Sequence, residues 1–242
     1  SSNAGLVLAE DIQNVASGYL CSGTNAIKMS GTYSLDGKSY SGVSQWNLIE
    51  ANEFLKDNGL QSLGSRTCQL TTRDEAYLKT EKFLGDASQY GSDSIVKLGA
   101  IGTFDGTNYA TGGGGHTVNH TNLTDNVGAL KEARSKGDGR GTTGVGKQAN
   151  TYPSKSLTIT SLTANEVVKA GTILEIKNST GGFKGIYIID KDSTISGTGE
   201  VEVKLVAPLL TDVATTDVLT LYPQGRIIPV YGKRAVHFHG GN

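Results

Sequence analysis

The chain has 242 residues, a formal net charge of −1 and a hydrophobic share of 36%. This length and apolar content indicate a folded protein of one or two domains and exclude a chain that is disordered throughout. The near-zero charge argues against a nucleic-acid binder, whose surface is usually strongly basic, and no apolar run is long enough for a transmembrane helix.

Chemically reactive side chains are scarce. The sequence has 33 glycines, about twice the average share, but only four histidines and two cysteines. These numbers do not exclude an enzyme, but they give a catalytic site few side chains to work with, and we assign no catalytic, cofactor-binding or metal-binding residue. Cys21 and Cys68 are too few for a disulfide framework, and we expect them to be reduced and partly buried.

The first third of the chain carries one hairpin pattern and one strong helix pattern. Residues 1–44 are predicted to be an N-terminal extension with a hairpin, because Asp36-Gly37 is a favoured two-residue turn. Residues 45–58 are predicted to be a helix that ends at Gly59. Its apolar side chains recur at helical spacing and are expected to face the core: Trp46, Leu48, Ile49, Ala51, Phe54 and Leu55.

The next segment alternates between strands and a helix. Residues 65–70 are predicted to be a strand and residues 72–84 a helix, with Thr72 and Glu75 at the spacing of a capping box. Alternating apolar residues then lead to Asp105-Gly106, which predicts a strand, a tight turn and a second strand up to residue 110.

Residues 111–150 form a long glycine-rich segment of low hydrophobicity, predicted to be a loop with a short helix at 126–135. A loop of this length in a compact domain is functional or flexible. Lysine and arginine outnumber acidic residues five to three between residues 125 and 150. We predict that residues 45–150 form an α+β core and that this loop belongs to it.

The last segment, residues 151–242, is predicted to be a small antiparallel β-barrel or sandwich. Short β-rich runs recur every 8–15 residues, separated by turn signals such as Gly181-Gly182. The run from Glu200 to Val206 alternates charged and apolar residues, as expected for a strand with one buried face.

Three local patterns have an alternative interpretation as chemical sites. Residues 141–147 resemble part of a phosphate-binding P-loop, but Gln148 replaces the hydroxyl residue and no buried strand precedes them, so we interpret the match as chance. His237 and His239 have a spacing that suits a metal, and His116 and His120 flank a loop near Asp125. We interpret His237 and His239 as ordinary surface residues, and nothing local supports a catalytic triad at His116 and His120.

The order of segments between residues 45 and 110 resembles the central stretch of the major capsid proteins of tailed bacteriophages. A strand bearing Arg66 is followed by a capped helix and then by residues 98–111. In that last stretch the matching positions are Gly99, Ile101, Gly102, Gly106 and Thr111. Lys169 to Ile176 resembles the entry to the β-barrel domain inserted in some short-tailed phage coat proteins. Ala235 to His239 resembles the strand that returns the chain to the capsid core.

The resemblance implies a capsid-like core with a few helices and a mixed sheet, followed by the β-barrel or sandwich. It implies a virion protein that assembles in the bacterial cytoplasm without a cofactor. Its partners would be copies of itself, with other virion proteins as further candidates, and neither a specific nucleic-acid sequence nor a membrane. Residues 1–44 are too short for the arm, extended loop and spine helix of the family. We therefore expect the C-terminal portion of a longer coat protein, as a fragment or a cleaved product, or a different virion protein that shares the architecture.

For contacts between subunits, the candidates are charged residues of the glycine-rich segment: Arg134, Lys136, Asp138 and Arg140. Two other functions stay open. The β-rich part is also typical of a binding module, such as a phage head decoration or a tail or receptor-binding protein. An enzyme that uses residues 141–147 to bind nucleotide is the third possibility.

Overall fold

The computed structural model describes residues 16–26, 43–59, 66–78, 103–111, 115–120, 123–134 and 155–232. Its few helices and several sheets, whose strands pair mostly antiparallel, confirm the α+β class. The hairpin predicted at Asp36-Gly37 lies outside these residues. None of the described helices has the length and hydropathy needed to cross a membrane.

Two helices and fourteen strands follow one another in the described chain, and residues 16–20 are also helical. In chain order they are α1 (Gln45–Asp57), β1 (Arg66–Leu70), α2 (Thr72–Leu78), β2 (Thr103–Phe104), β3 (Thr107–Thr111), β4 (His116–Asn119), β5 (Val127–Leu130), β6 (Ser156–Thr160), β7 (Val167–Val168), β8 (Ile173–Lys177), β9 (Phe183–Ile188), β10 (Ser193–Thr194), β11 (Val201–Lys204), β12 (Val218–Tyr222), β13 (Gln224–Ile227) and β14 (Val230–Gly232).

The chain divides into two compact units, and one interrupts the other. Unit 1 contains residues 1–20, 27–116 and 227–242, and unit 2 contains residues 21–26 and 117–226. These boundaries differ from the division at residue 150 that composition predicted. The difference arises because β5, from the glycine-rich segment, pairs with β6 and β12 of unit 2.

Unit 1 is built on a mixed four-stranded sheet with the order β14-β1-β3-β2. β1 and β3 are parallel, whereas β14 and β2 run antiparallel to their neighbours. The turn between β2 and β3 is Asp105-Gly106, where both φ angles are positive (46° and 71°), as the sequence predicted. Buried side chains from both helices, from β1 and from the residue before the cap of α1 form its core: Val43, Leu48, Cys68, Leu70 and Leu78.

Both helices begin at the residues that the sequence predicted, but the capping residue of α2 differs from the predicted one by one position. Ser44 caps α1, since its hydroxyl accepts a hydrogen bond from the Asn47 N–H while the Asn47 side chain accepts one from the Ser44 N–H. Gly59 follows with a φ of 91°, which ends the helix. At α2 the capping residue is Thr71, whose hydroxyl accepts from the Asp74 N–H, so the predicted pair Thr72 and Glu75 was wrong by one residue.

Unit 2 is a six-stranded antiparallel sheet with the order β11-β6-β5-β12-β8-β9. One face carries a large apolar cluster that includes Leu157, Leu174 and Leu219. Successive residues of a strand point to opposite faces, which explains why Val201 and Val203 are buried while Glu202 and Lys204 are exposed. A bridge between Gly23 and Ile186 places residues 21–26 against β9.

The ladders of this sheet leave β11 and β9 at its two edges, so the described strands form an open sheet and not the closed barrel that was one of the two predicted forms. The edges nevertheless meet just beyond the strand ends. Ile189 and Leu205 form an antiparallel bridge, and the Val206 N–H donates to the Ile188 carbonyl at 2.9 Å. The apolar face is therefore enclosed at that end of the sheet.

The predicted helix at 126–135 was wrong, because residues 127–130 form strand β5 between β6 and β12. Gly128 makes this position possible. A Cβ atom there would lie 2.4 Å from the Ile159 Cγ2 and 2.8 Å from the Thr160 carbonyl oxygen. Pairing on both sides thus overrides the helical preference of the alanine, leucine and lysine that follow.

Replacement of Gly128 by alanine should destabilise unit 2 by about 1–3 kcal/mol, because β5 has to move away from β6 to fit the methyl group. Gly197→Ala is the matched control, since a Cβ there meets nothing within 4 Å. Urea unfolding of the two variants and the parent chain measures the difference. Equal midpoints for both variants would contradict the close packing of β5 on β6.

Candidate interaction surface

The most exposed large apolar side chain in the described residues belongs to Trp46, which is 77% exposed on α1. Phe54, two turns further on, is 42% exposed. Glu50, Glu53 and Asp57 are also exposed. Consecutive helical residues are rotated by about 100°, so these five positions lie within one arc of about 100°. We call these five residues the outer face of α1.

The opposite side of α1 is buried, and this corrects the predicted apolar stripe. Leu48 and Asn52 are the buried residues of the helix, whereas Trp46 and Phe54, which the sequence placed in the core, point outward. Leu48 packs in the core of unit 1. A buried asparagine on this side indicates that polar contacts, as well as apolar ones, orient the helix.

Those polar contacts centre on the fully buried guanidinium of Arg66. Its Nε donates to the Thr107 hydroxyl at 3.2 Å, and that hydroxyl donates to the Asn52 side-chain oxygen at 2.5 Å. Its Nη2 donates to the main-chain oxygen of Asp105, in the turn between β2 and β3. One side chain thus links β1, the β2–β3 hairpin and α1.

An exposed ion pair joins the same elements from outside. The Lys56 ammonium lies 2.7 Å from a carboxylate oxygen of Asp105, and both side chains are about one-third exposed. Exposed pairs of this kind contribute about 0–1 kcal/mol. The buried hydrogen bonds of Arg66 therefore dominate the attachment of α1 to the hairpin.

Only one of the four predicted subunit contacts lies in the described residues. Arg134 follows β5 in unit 2, and its side chain is 37% exposed and lies 3.4 Å from Glu132. Lys131 is paired with Glu200, and this hydrogen bond raises the pKa of Lys131. Lys136, Asp138 and Arg140 lie outside the described residues, so the proposed contacts of these four residues stay a prediction.

Three of the residues with a chemical alternative, His116, His120 and Asp125, lie in the part of the chain that the structure describes. His120 donates through Nε2 to the Ala170 carbonyl at 2.7 Å, and Asp125 accepts a hydrogen bond from Thr163. In the described ranges, no three histidine, cysteine or acidic side chains are grouped so that they could hold a metal ion. Residues 141–147, His237 and His239 lie outside them.

Both cysteines are buried and neither forms a disulfide, with Cys21 in unit 2 and Cys68 in β1 of unit 1. Burial raises the pKa of the Cys68 thiol to about 12, and the negative charge of Asp74 adds to this rise. The nucleophile in thiol chemistry is the thiolate. Cys68 is therefore a packing residue and not a reactive thiol at neutral pH.

No protein-family model matches the sequence, and no curated protein shows significant similarity to it. The outer face of α1 was missed from the sequence because tryptophan and phenylalanine at helical spacing usually mark a core. The available signal was the acidic residues Glu50, Glu53 and Asp57, which share the arc with both aromatic residues.

Replacement of Arg66 by alanine should destabilise unit 1 by about 3 kcal/mol, because it leaves the Asp105 carbonyl and the Thr107 hydroxyl without their charged donor. Lys56→Ala removes the exposed ion pair of the same hairpin and should cost less than about 1 kcal/mol. Thermal or urea unfolding followed by circular dichroism measures both. A larger loss for Lys56→Ala than for Arg66→Ala would contradict this assignment.

Proposed function

We propose that this chain is a structural virion protein, a self-assembling bacteriophage capsid subunit or its C-terminal portion. The observation that carries the proposal is the interruption of unit 1 by unit 2. The mixed sheet of unit 1 takes β1, β2 and β3 from before the β-rich unit and β14 from after it. This is the organisation that the resemblance to short-tailed phage coat proteins implies.

The strand that follows unit 2 and returns to the sheet of unit 1 supports the same proposal. β14 pairs antiparallel with β1, with Thr67 opposite Tyr231 and Cys68 opposite Val230. Gln69 adds a side-chain hydrogen bond from Nε2 to the Tyr231 hydroxyl at 2.9 Å. The strands before and after residues 117–226 therefore belong to one sheet, as the resemblance to coat proteins with an inserted domain implies.

The surface chemistry also suits a protein that works through contacts with its own copies. An exposed tryptophan and phenylalanine on one helical face are unusual on a monomer surface and typical of contact residues. In a shell, symmetry repeats one such contact around the particle, so a modest interface on each subunit is enough for a stable assembly. The resulting site of action is the virion.

A second candidate is a phage head decoration or a tail or receptor-binding module. One observation favours it: unit 2 has its own apolar cluster of seventeen buried residues and is therefore a separate folded body. A module of this kind would function as a small oligomer that binds a ligand, whereas a shell subunit forms particles of many copies.

Light scattering over a concentration series, with negative-stain imaging of the same samples, tests the proposal. We expect the average mass to rise with concentration to that of many subunits, with rings or closed particles in the images, and to fall again on dilution. A monomer or trimer at every concentration would contradict the capsid proposal and favour the binding module.

A further inference from the structure

We infer that the outer face of α1 is the docking site for residues 135–154 of a second copy of this chain. The inference rests on the proposed self-assembly and names the two surfaces that meet. It pairs an exposed aromatic and acidic helix face with a basic glycine-rich segment.

The acceptor surface has a chemistry that defines its partner. Trp46 and Phe54 offer apolar area, and Glu50, Glu53 and Asp57 place three negative charges between and beside them. Lys56, the nearest cation along the helix, is paired with Asp105. The complement is therefore a segment with several cations and some apolar area, since cations pair with carboxylates and also stack on tryptophan.

Residues 135–154 have this composition. They contain Lys136, Arg140 and Lys147 against one acidic residue, Asp138, and Val145, Tyr152 and Pro153 provide apolar area. The cations that precede the segment, Lys131 and Arg134, already have the acidic partners Glu200 and Glu132 in unit 2. The additional positive charge of residues 135–154 therefore suits a surface other than the sheet of unit 2.

The number of residues between β5 and β6 is larger than a connection between adjacent strands needs. β5 and β6 are adjacent and antiparallel, so the chain leaves and re-enters the sheet at one end. A connection of two to five residues closes such a pair. The twenty residues of this segment can extend about 30 Å from the sheet and return, at about 3.3 Å per residue in each direction.

A charge exchange tests the pairing. Glu50→Lys with Glu53→Lys should abolish assembly or raise the concentration it requires by about tenfold or more, because like charges then face each other. Lys136→Glu with Arg140→Glu should have the same effect. All four substitutions in one chain should restore assembly, since the charges are again complementary.

Mixing the two double variants distinguishes a second copy from a contact within one chain. In the mixture, each basic segment meets an acidic helix face and each acidic segment meets a basic one, but only between different molecules. We expect the mixture to assemble in light scattering although each variant alone does not. Rescue by the fourfold variant without rescue by mixing would assign the contact to a single chain and overturn the inference.

Two controls have the same charge changes on exposed residues of unit 2. Asp190→Lys with Glu202→Lys matches the first double variant, and Lys191→Glu with Lys204→Glu matches the second. Both should assemble like the parent chain. Equal loss in the controls would trace the effect to net charge and overturn the inference.

The proposed function and this inference can fail separately. Failure of the parent chain to assemble would contradict both. Normal assembly of the parent and of both double variants would leave the capsid proposal standing and overturn the docking site. Loss of assembly in both double variants without rescue in the fourfold variant would also overturn it.

Discussion

The buried guanidinium of Arg66 is the contact on which the geometry of unit 1 depends. It reaches from β1 to the Asp105 carbonyl in the β2–β3 turn and, through the Thr107 hydroxyl, to Asn52 on α1. A buried charge is costly to leave without partners, so these elements keep one arrangement. The same arrangement turns Leu48 and Asn52 inward and leaves Trp46 exposed. The outer face of α1 is thus a consequence of how the core is hydrogen-bonded.

The interruption of unit 1 by unit 2 links folding to the proposed assembly. The sheet of unit 1 is complete only when β14 pairs with β1 after the whole of unit 2 has been synthesised. In unit 2, the two edges of the sheet meet at the bridge between Ile189 and Leu205, which encloses the apolar face at that end. Each unit therefore buries its own core, and the exposed aromatic residues of α1 remain available for contacts with other molecules.

Much of the local structure was predictable from the sequence, because local chemistry determines it. Asp105-Gly106 favours a two-residue hairpin turn, and the alternation from Val201 to Lys204 identifies a strand with one buried face. Two features depended on partners distant in sequence. The helical spacing of α1 did not reveal that Arg66 would select the side carrying Asn52 for burial, and Gly128 became a strand residue because β6 and β12 flank it. The contacts of residues 135–154 stay a prediction.

Trp46 is the sole tryptophan, so its fluorescence reports directly on the outer face of α1. The most direct test of the account is acrylamide quenching of this fluorescence in dilute and in assembled samples, with light scattering to establish the assembly state. A side chain that is 77% exposed should be quenched strongly in the dilute protein. The account predicts several-fold weaker quenching once the copies assemble, because this ring is buried between them. Equal quenching in both states would show that α1 does not form the contact and would contradict the account.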